Sequence, residues 1–130
     1  MSDTLSQKHW LPTTPPVSAM TFSNVIKAHP VVVIHFWADW NGYDRKMDAL
    51  LQELRPKYEA KITFFSFDTT PKENLGICHQ YQIRQLPALV CFIEGVQHET
   101  LIGMRSKSDL ETKFKTWVAA AKAKSGEQHT

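Results

Sequence analysis

The chain has 130 residues, 42% hydrophobic, 22% charged and 11% aromatic. That composition supports one globular domain able to bury about two-thirds of its unfolded surface, and it excludes a disordered chain, a collagen and a disulfide miniprotein. Fifteen Lys and Arg stand against thirteen Asp and Glu, for a formal charge of +2 with the basic residues scattered, so there is no electrostatic footprint for nucleic acid.

From the N-terminus, residues 1–20 carry Pro12, Pro15 and Pro16 among Ser and Thr, which predicts an N-terminal arm or a weak edge segment. Residues 1–10 lack the basic and apolar regions of a secretory signal, and no stretch approaches the ~18 apolar residues of a membrane span. The expectation is a cytoplasmic protein with no membrane partner. Thr21 reads as the N-cap of a short helix carrying Phe22, Val25 and Ile26, which His29-Pro30 stops. Val31 to Ala38 is apolar at nearly every position, the pattern of a central strand covered on both faces. From Asn41 the period changes, and Met47, Leu50, Leu51, Leu54 and Tyr58 define an amphipathic helix disturbed near its end by Pro56.

Ile62 to Phe67 is a second strand. Thr70-Pro-Lys-Glu73 has the form of a capping box, which predicts a helix through about Tyr81. Ala88 to Ile93, Glu94-Gly95 and Val96 to Ile102 read as a β-hairpin. Ser106 and Ser108 precede a last helix in which Leu110, Phe114, Trp117 and Val118 share a face, and residues 122–130 read as a flexible, frayed tail. Residues 21–121 therefore form one α/β domain, a central mixed β-sheet flanked by helices.

These elements resemble a thioredoxin. Val33-Ile-His-Phe-Trp-Ala-Asp-Trp40 resembles the strand leading into that family's active site, Tyr81-Gln-Ile-Arg-Gln-Leu-Pro-Ala88 its cis-proline segment, and Ile102-Gly-Met-Arg-Ser106 the glycine loop before its last helix. A thioredoxin-like fold is what the resemblance implies. A second resemblance, to the thioredoxin-fold spliceosomal proteins through Val31-Val-Val-Ile34, Asp39-Trp40 and Lys46-Met-Asp48, is the poorer match because of Leu86-Pro87 and the short C-terminal tail.

Where the family carries Cys-Gly-Pro-Cys, this chain has Asn41, Gly42, Tyr43 and Asp44. Dithiol exchange at those positions is excluded, because no sulfur is present to form or resolve a mixed disulfide. Asn41 is a favoured N-cap, and Asp44 in the first turn suits backbone N–H groups and the positive helix end. His35 occupies the place of the family's buried, proton-relaying aspartate, and without a nucleophile to serve it reads as a hydrogen-bonded core residue. Cys91 reads as a small buried hydrophobe in its strand, whereas Cys78, beside His79, is a candidate regulatory thiol. Neither lies in a Cys-x-x-Cys pair or a zinc-type spacing, so neither metal nor cofactor is expected.

In the family, substrates are held by the rim of the active site. The resemblance carries that role to Trp40, Tyr43, Leu86, Pro87, Ile102, Gly103 and Met104, and it implies a protein or extended peptide as the partner. The expected function is a redox-inactive binding module serving as scaffold, chaperone or assembly subunit. The competing expectation is a single-thiol redox sensor or weak thiol enzyme acting through Cys78.

Overall fold

In the structure, a computed structural model that describes residues 10–128, sequence pattern and architecture meet first in the central strand. β1 (Val31–Trp37) is buried at all seven positions. It pairs in parallel with β2 (Thr63–Asp68) and antiparallel with β3 (Ala88–Ile93), which pairs antiparallel with β4 (Val96–Ile102), giving the order β2-β1-β3-β4. The parallel step β1 to β2 needs a crossover, and helix α2 (Gly42–Tyr58) supplies it.

Because side chains alternate along a strand, β1 feeds two cores. Val31 and Val33 pack with Met47, Leu51 and Leu54 of α2 and with Leu110, Phe114 and Trp117 of α4 (Lys107–Gln128). Val32, Ile34 and Phe36 face the other way, onto Phe22 and Ile26 of α1 (Phe22–Ala28) and Cys78 of α3 (Leu75–Gln80). His35 shares the parity of Val31 and Val33, which puts it on the α2 side.

The hairpin turns where expected, with Glu94 at φ 53° and Gly95 at φ 79°. A two-residue hairpin turn of type I′ needs both in the left-handed region. A Cβ on Gly95 would also lie 2.9 Å from Cγ of Lys27, so glycine is required there twice over.

One pair of local alternatives is decided and three local expectations are revised. The segment before residue 21 is the edge alternative: Val17 N–H donates to Ser66 O (2.9 Å) and Ser66 N–H to Pro15 O (2.8 Å). Prolines tolerate this place because an edge strand leaves one side of its backbone unpaired. It is pinned further by Asp48, whose buried carboxylate accepts from Thr13 N–H (2.9 Å) and Thr13 Oγ1 (3.1 Å). Residues 1–9 of the expected arm lie outside the described residues. Thr21 occupies the N-cap position without a side-chain cap bond, its hydroxyl being engaged by Ser18 instead (3.0 Å).

The Thr70–Glu73 capping box does not form. Thr70 N–H and Oγ1 both bond Asp68 Oδ1 (3.0 and 2.7 Å), so a 3₁₀ turn at Lys72–Asn74 precedes the helix at Leu75. The carboxylate two residues earlier outcompetes the box for the same donor. Finally, α4 continues past Ala121 to Gln128, where frayed tail was expected. Alanine and lysine are strong helix formers, and Ala121 still packs on the core. Residues 129–130 of that tail lie outside the described residues.

Candidate functional site

At the C-terminal end of β1 the chain turns into α2, and the first contacts of that corner are polar. Asn41 Oδ1 accepts from Tyr43 N–H (3.0 Å), capping the helix, while its Nδ2 donates to Leu86 O (3.2 Å) across the corner. One side chain thus satisfies an orphan helix donor and ties α2 to the loop before β3. The Leu86–Pro87 peptide in that loop is cis.

Asp44 differs from expectation. It is fully buried and, rather than capping its own helix, turns back to β1. Its Oδ2 accepts from Ala38 N–H (3.1 Å) and its Oδ1 lies 2.9 Å from His35 Nε2, with both side chains at 0% exposure. His35 Nδ1 has no partner among the described residues, which assigns the ring proton to Nε2, donating to the carboxylate. A buried charge held by two N–H donors near a helix N-terminus is compensated from three directions. Beside it in the sheet register, His35 faces Ser66 and Leu89, neither of which is charged.

The rim is the opposite. Trp40 is 75% exposed and Tyr43 57%, with Lys46 Nζ 5.3 Å from the Tyr43 ring centre. Trp40, Asn41 and Leu86 line a groove of about 510 Å³ that runs away from the glycine loop, toward Thr69, Leu75 and Cys78. Ile83, Arg84 and Gln85 complete it. Ile102, Gly103 and Met104 do not line this groove, although Gly103 N–H donates to Pro87 O (2.8 Å). Pro87 itself is buried, so it shapes the rim and does not belong to the accessible face.

The groove residues missed by the sequence reading are Thr69, Leu75, Ile83, Arg84 and Gln85. Ile83, Arg84 and Gln85 lie in the Tyr81–Ala88 segment that carries the resemblance, beside Leu86, whereas the exposure of Leu75, 46%, is decided only by the packing of its short helix. Both cysteines are buried and free. Burial pushes the Cys78 thiol above its ordinary value, and burial together with the charge of Glu99 pushes Cys91 further still. Both therefore hold their protons at neutral pH, which disfavours nucleophilic use. Among the described residues no three His, Cys, Asp or Glu side chains are grouped to hold a metal ion.

A four-stranded mixed sheet flanked by helices, with a cis-proline loop facing the N-terminus of the crossover helix, is the thioredoxin fold. The solved thioredoxin of Malassezia sympodialis superposes with TM-score 0.71 at 25% identity, over 85% of this chain and 96% of that one. A mutant thioredoxin from Halobacterium salinarum NRC-1 gives TM-score 0.70 at 21% identity, over 85% and 96%, a likeness of fold alone. The thioredoxin family model matches residues 13–116, and the chain belongs to the thioredoxin family.

Among relatives, the Synechocystis thioredoxin is 29% identical over 106 residues, 81% of this chain and 97% of its own length. The chloroplastic M-type thioredoxin of Brassica napus is 34% identical over 90 residues, 69% of this chain. This chain spans about half the length of that protein and of its M-type counterparts in Arabidopsis thaliana and Spinacia oleracea, at 50%, 46% and 51%.

Proposed function

We propose that this chain is a redox-inactive thioredoxin-family module that binds a protein or extended peptide through the face around Trp40 and Leu86, as a scaffold, chaperone or assembly subunit. One observation carries the reading. The two positions that the resemblance assigns to cysteines hold Asn41 and Asp44, both engaged in hydrogen bonds within the fold, while their neighbour Trp40 stands 75% exposed. No nucleophile is left at the corner, yet a large aromatic is presented to solvent beside a groove. Exposed aromatics of this kind dominate binding hot spots. Leu86 O, although bonded to Asn41, keeps a second lone pair for an added strand.

Among the described residues no helix is long and apolar enough to cross a membrane. A cytoplasmic site of action belongs to the proposal, and the chloroplastic names of several relatives make plastid targeting the alternative that a fluorescent fusion distinguishes.

Two assays test the proposal together. Insulin reduction with thioredoxin reductase should show no rate above background. A partner recovered with the full chain should bind Trp40→Ala more weakly by thirtyfold or so, which corresponds to about 2 kcal/mol. Measurable disulfide reduction, or an unchanged partner affinity in a folded Trp40→Ala variant, overturns it. The single-thiol reading is favoured by one fact only, that Cys78 lines the same groove. Mass spectrometry after mild peroxide decides it, and the elevated thiol predicts unmodified Cys78.

A further inference from the structure

At the end of the sheet opposite Trp40, where β1 begins and α2 finishes, lies a second surface that the proposed function does not use. Two adjoining depressions of about 370 and 320 Å³ share Lys61, Val118 and Lys122. Their floor is apolar, formed by Val31, Val118 and Ala121, and Lys115 stands on the far rim. Helix α2 is 17 residues long, so this surface is roughly 25 Å from the Asn41 corner.

Three features set it apart from ordinary surface. Its wall from Val118 to Lys122 belongs to the part of α4 beyond residue 116, where the family match ends. Second, although Lys57 pairs with Glu111 (3.3 Å), Lys113 with Glu99 (2.5 Å) and Lys107 with Glu53, three lysines are gathered here outside any ion pair. Among the described residues, Lys61, Lys115 and Lys122 have no such partner. Third, among the described residues the only carboxylate lining either depression is Glu59.

An apolar floor ringed by three ammonium groups outside any ion pair matches a ligand with the reverse arrangement. We propose that this groove is a second docking site that receives an acidic segment of a partner protein, anchored by an apolar side chain between Val31 and Val118 and framed by carboxylates on Lys61, Lys115 and Lys122. A long lysine stem can lie along the floor while its head reaches the rim, so the same residues contribute contact area and charge. The domain would then engage two partners at once, from opposite ends of one sheet.

The test uses the full chain and a synthetic amphipathic helix of Leu and Glu, with a twin in which every Glu is Gln, in two-dimensional NMR titrations. The acidic peptide should shift the amides of Lys61, Val118 and Lys122, bind at least about tenfold more tightly than its Gln twin, and weaken as salt is raised. Lys61→Glu/Lys122→Glu should abolish those shifts, while Trp40→Ala should leave them unchanged, which separates this site from the face proposed above. Equal binding of the two peptides, shifts centred on Trp40 and Leu86, indifference to the charge reversal, or no binding at millimolar peptide would each overturn the proposal. A single-stranded oligonucleotide that binds the groove where the peptide fails would overturn it as well.

Discussion

Trp40 and Tyr43 differ in every physical respect from Asn41 and Asp44, although the four residues fall within one turn of chain. Asp44 is fully buried and Asn41 bridges α2 to the loop before β3, whereas Trp40 and Tyr43 are largely exposed. The inward pair consists of polar groups with assigned partners, and the outward pair of aromatics with little to cover them. Within α2, Tyr43 and Asp44 point apart because successive helical positions are rotated by about 100°, while Trp40 and Asn41 precede the helix and Asn41 has an extended backbone. What distinguishes this corner is that its inward pair, the buried Asp44 and the half-buried Asn41, is polar and its exposed pair aromatic, the reverse of ordinary patterning. Such inversion is expected where a surface serves binding and the structure beneath must be held by hydrogen bonds.

The largest effect belongs to the buried half. Asp44→Ala should cost about 3–5 kcal/mol in urea unfolding, because it strands the His35 Nε2–H and the Ala38 N–H without an acceptor in the interior. Asp44→Asn should cost less, since it keeps one acceptor oxygen. A loss below about 1 kcal/mol for Asp44→Ala would place Asp44 with the rim residues and end the contrast.

The next prediction concerns the thiol beneath the groove. Burial raises the Cys78 proton affinity, so at any given pH less thiolate is present in the folded than in the unfolded chain. Iodoacetamide labelling of native Cys78 should be at least about tenfold slower than in urea, and should keep accelerating above the pH at which an ordinary thiol has fully ionised. Native labelling as fast as that of the unfolded chain would bring Cys78 into the reactive surface.

Asn41 divides the two halves more finely, because its two functions can be separated. Asn41→Ala should cost about 1–2 kcal/mol, through loss of both the helix cap and the bond to Leu86 O. Glycine tolerates the N-cap position but cannot reach Leu86 O, so Asn41→Gly should fall between Ala and wild type. The gap between the two variants reads the cap, and the remainder reads the tie to the loop. If Asn41→Gly unfolds like wild type, the bond to Leu86 contributes nothing.

The smallest effect is the one that protects the binding test. Trp40→Ala should change stability by less than about 0.5 kcal/mol, as for other exposed substitutions away from caps and cores. A cost above about 2 kcal/mol would mean that the indole packs into the fold, and it would then be no free rim.

Much of this molecule is legible in its residues. The unbroken apolar run of β1, the i, i+3, i+4 spacing of α2 and the Glu94-Gly95 turn each depend on neighbours within a few positions, and all three stand where the sequence puts them. Asn41 as an N-cap is equally local. The Thr70 box failed for a local reason too, since Asp68 competes for the same N–H from two residues upstream.

Contiguous sequence was therefore enough for the fold family, the order of its elements and the identity of the residues at the corner, because periodicity and capping are properties of neighbouring positions. How those residues are used was settled by packing between distant segments. Asp44 faces His35 because the crossover lays the start of α2 over the face of β1 that carries Val31, Val33 and His35, a contact between elements that no local pattern encodes. Arg84 and Leu75 meet Trp40 across one groove, and Lys61 meets Lys122 across another, only because remote stretches of chain are packed onto a shared sheet. Long-range contacts are chosen by the burial of whole faces, and it is the residues at the edges of those faces that form the two surfaces on which this protein's binding is proposed to depend.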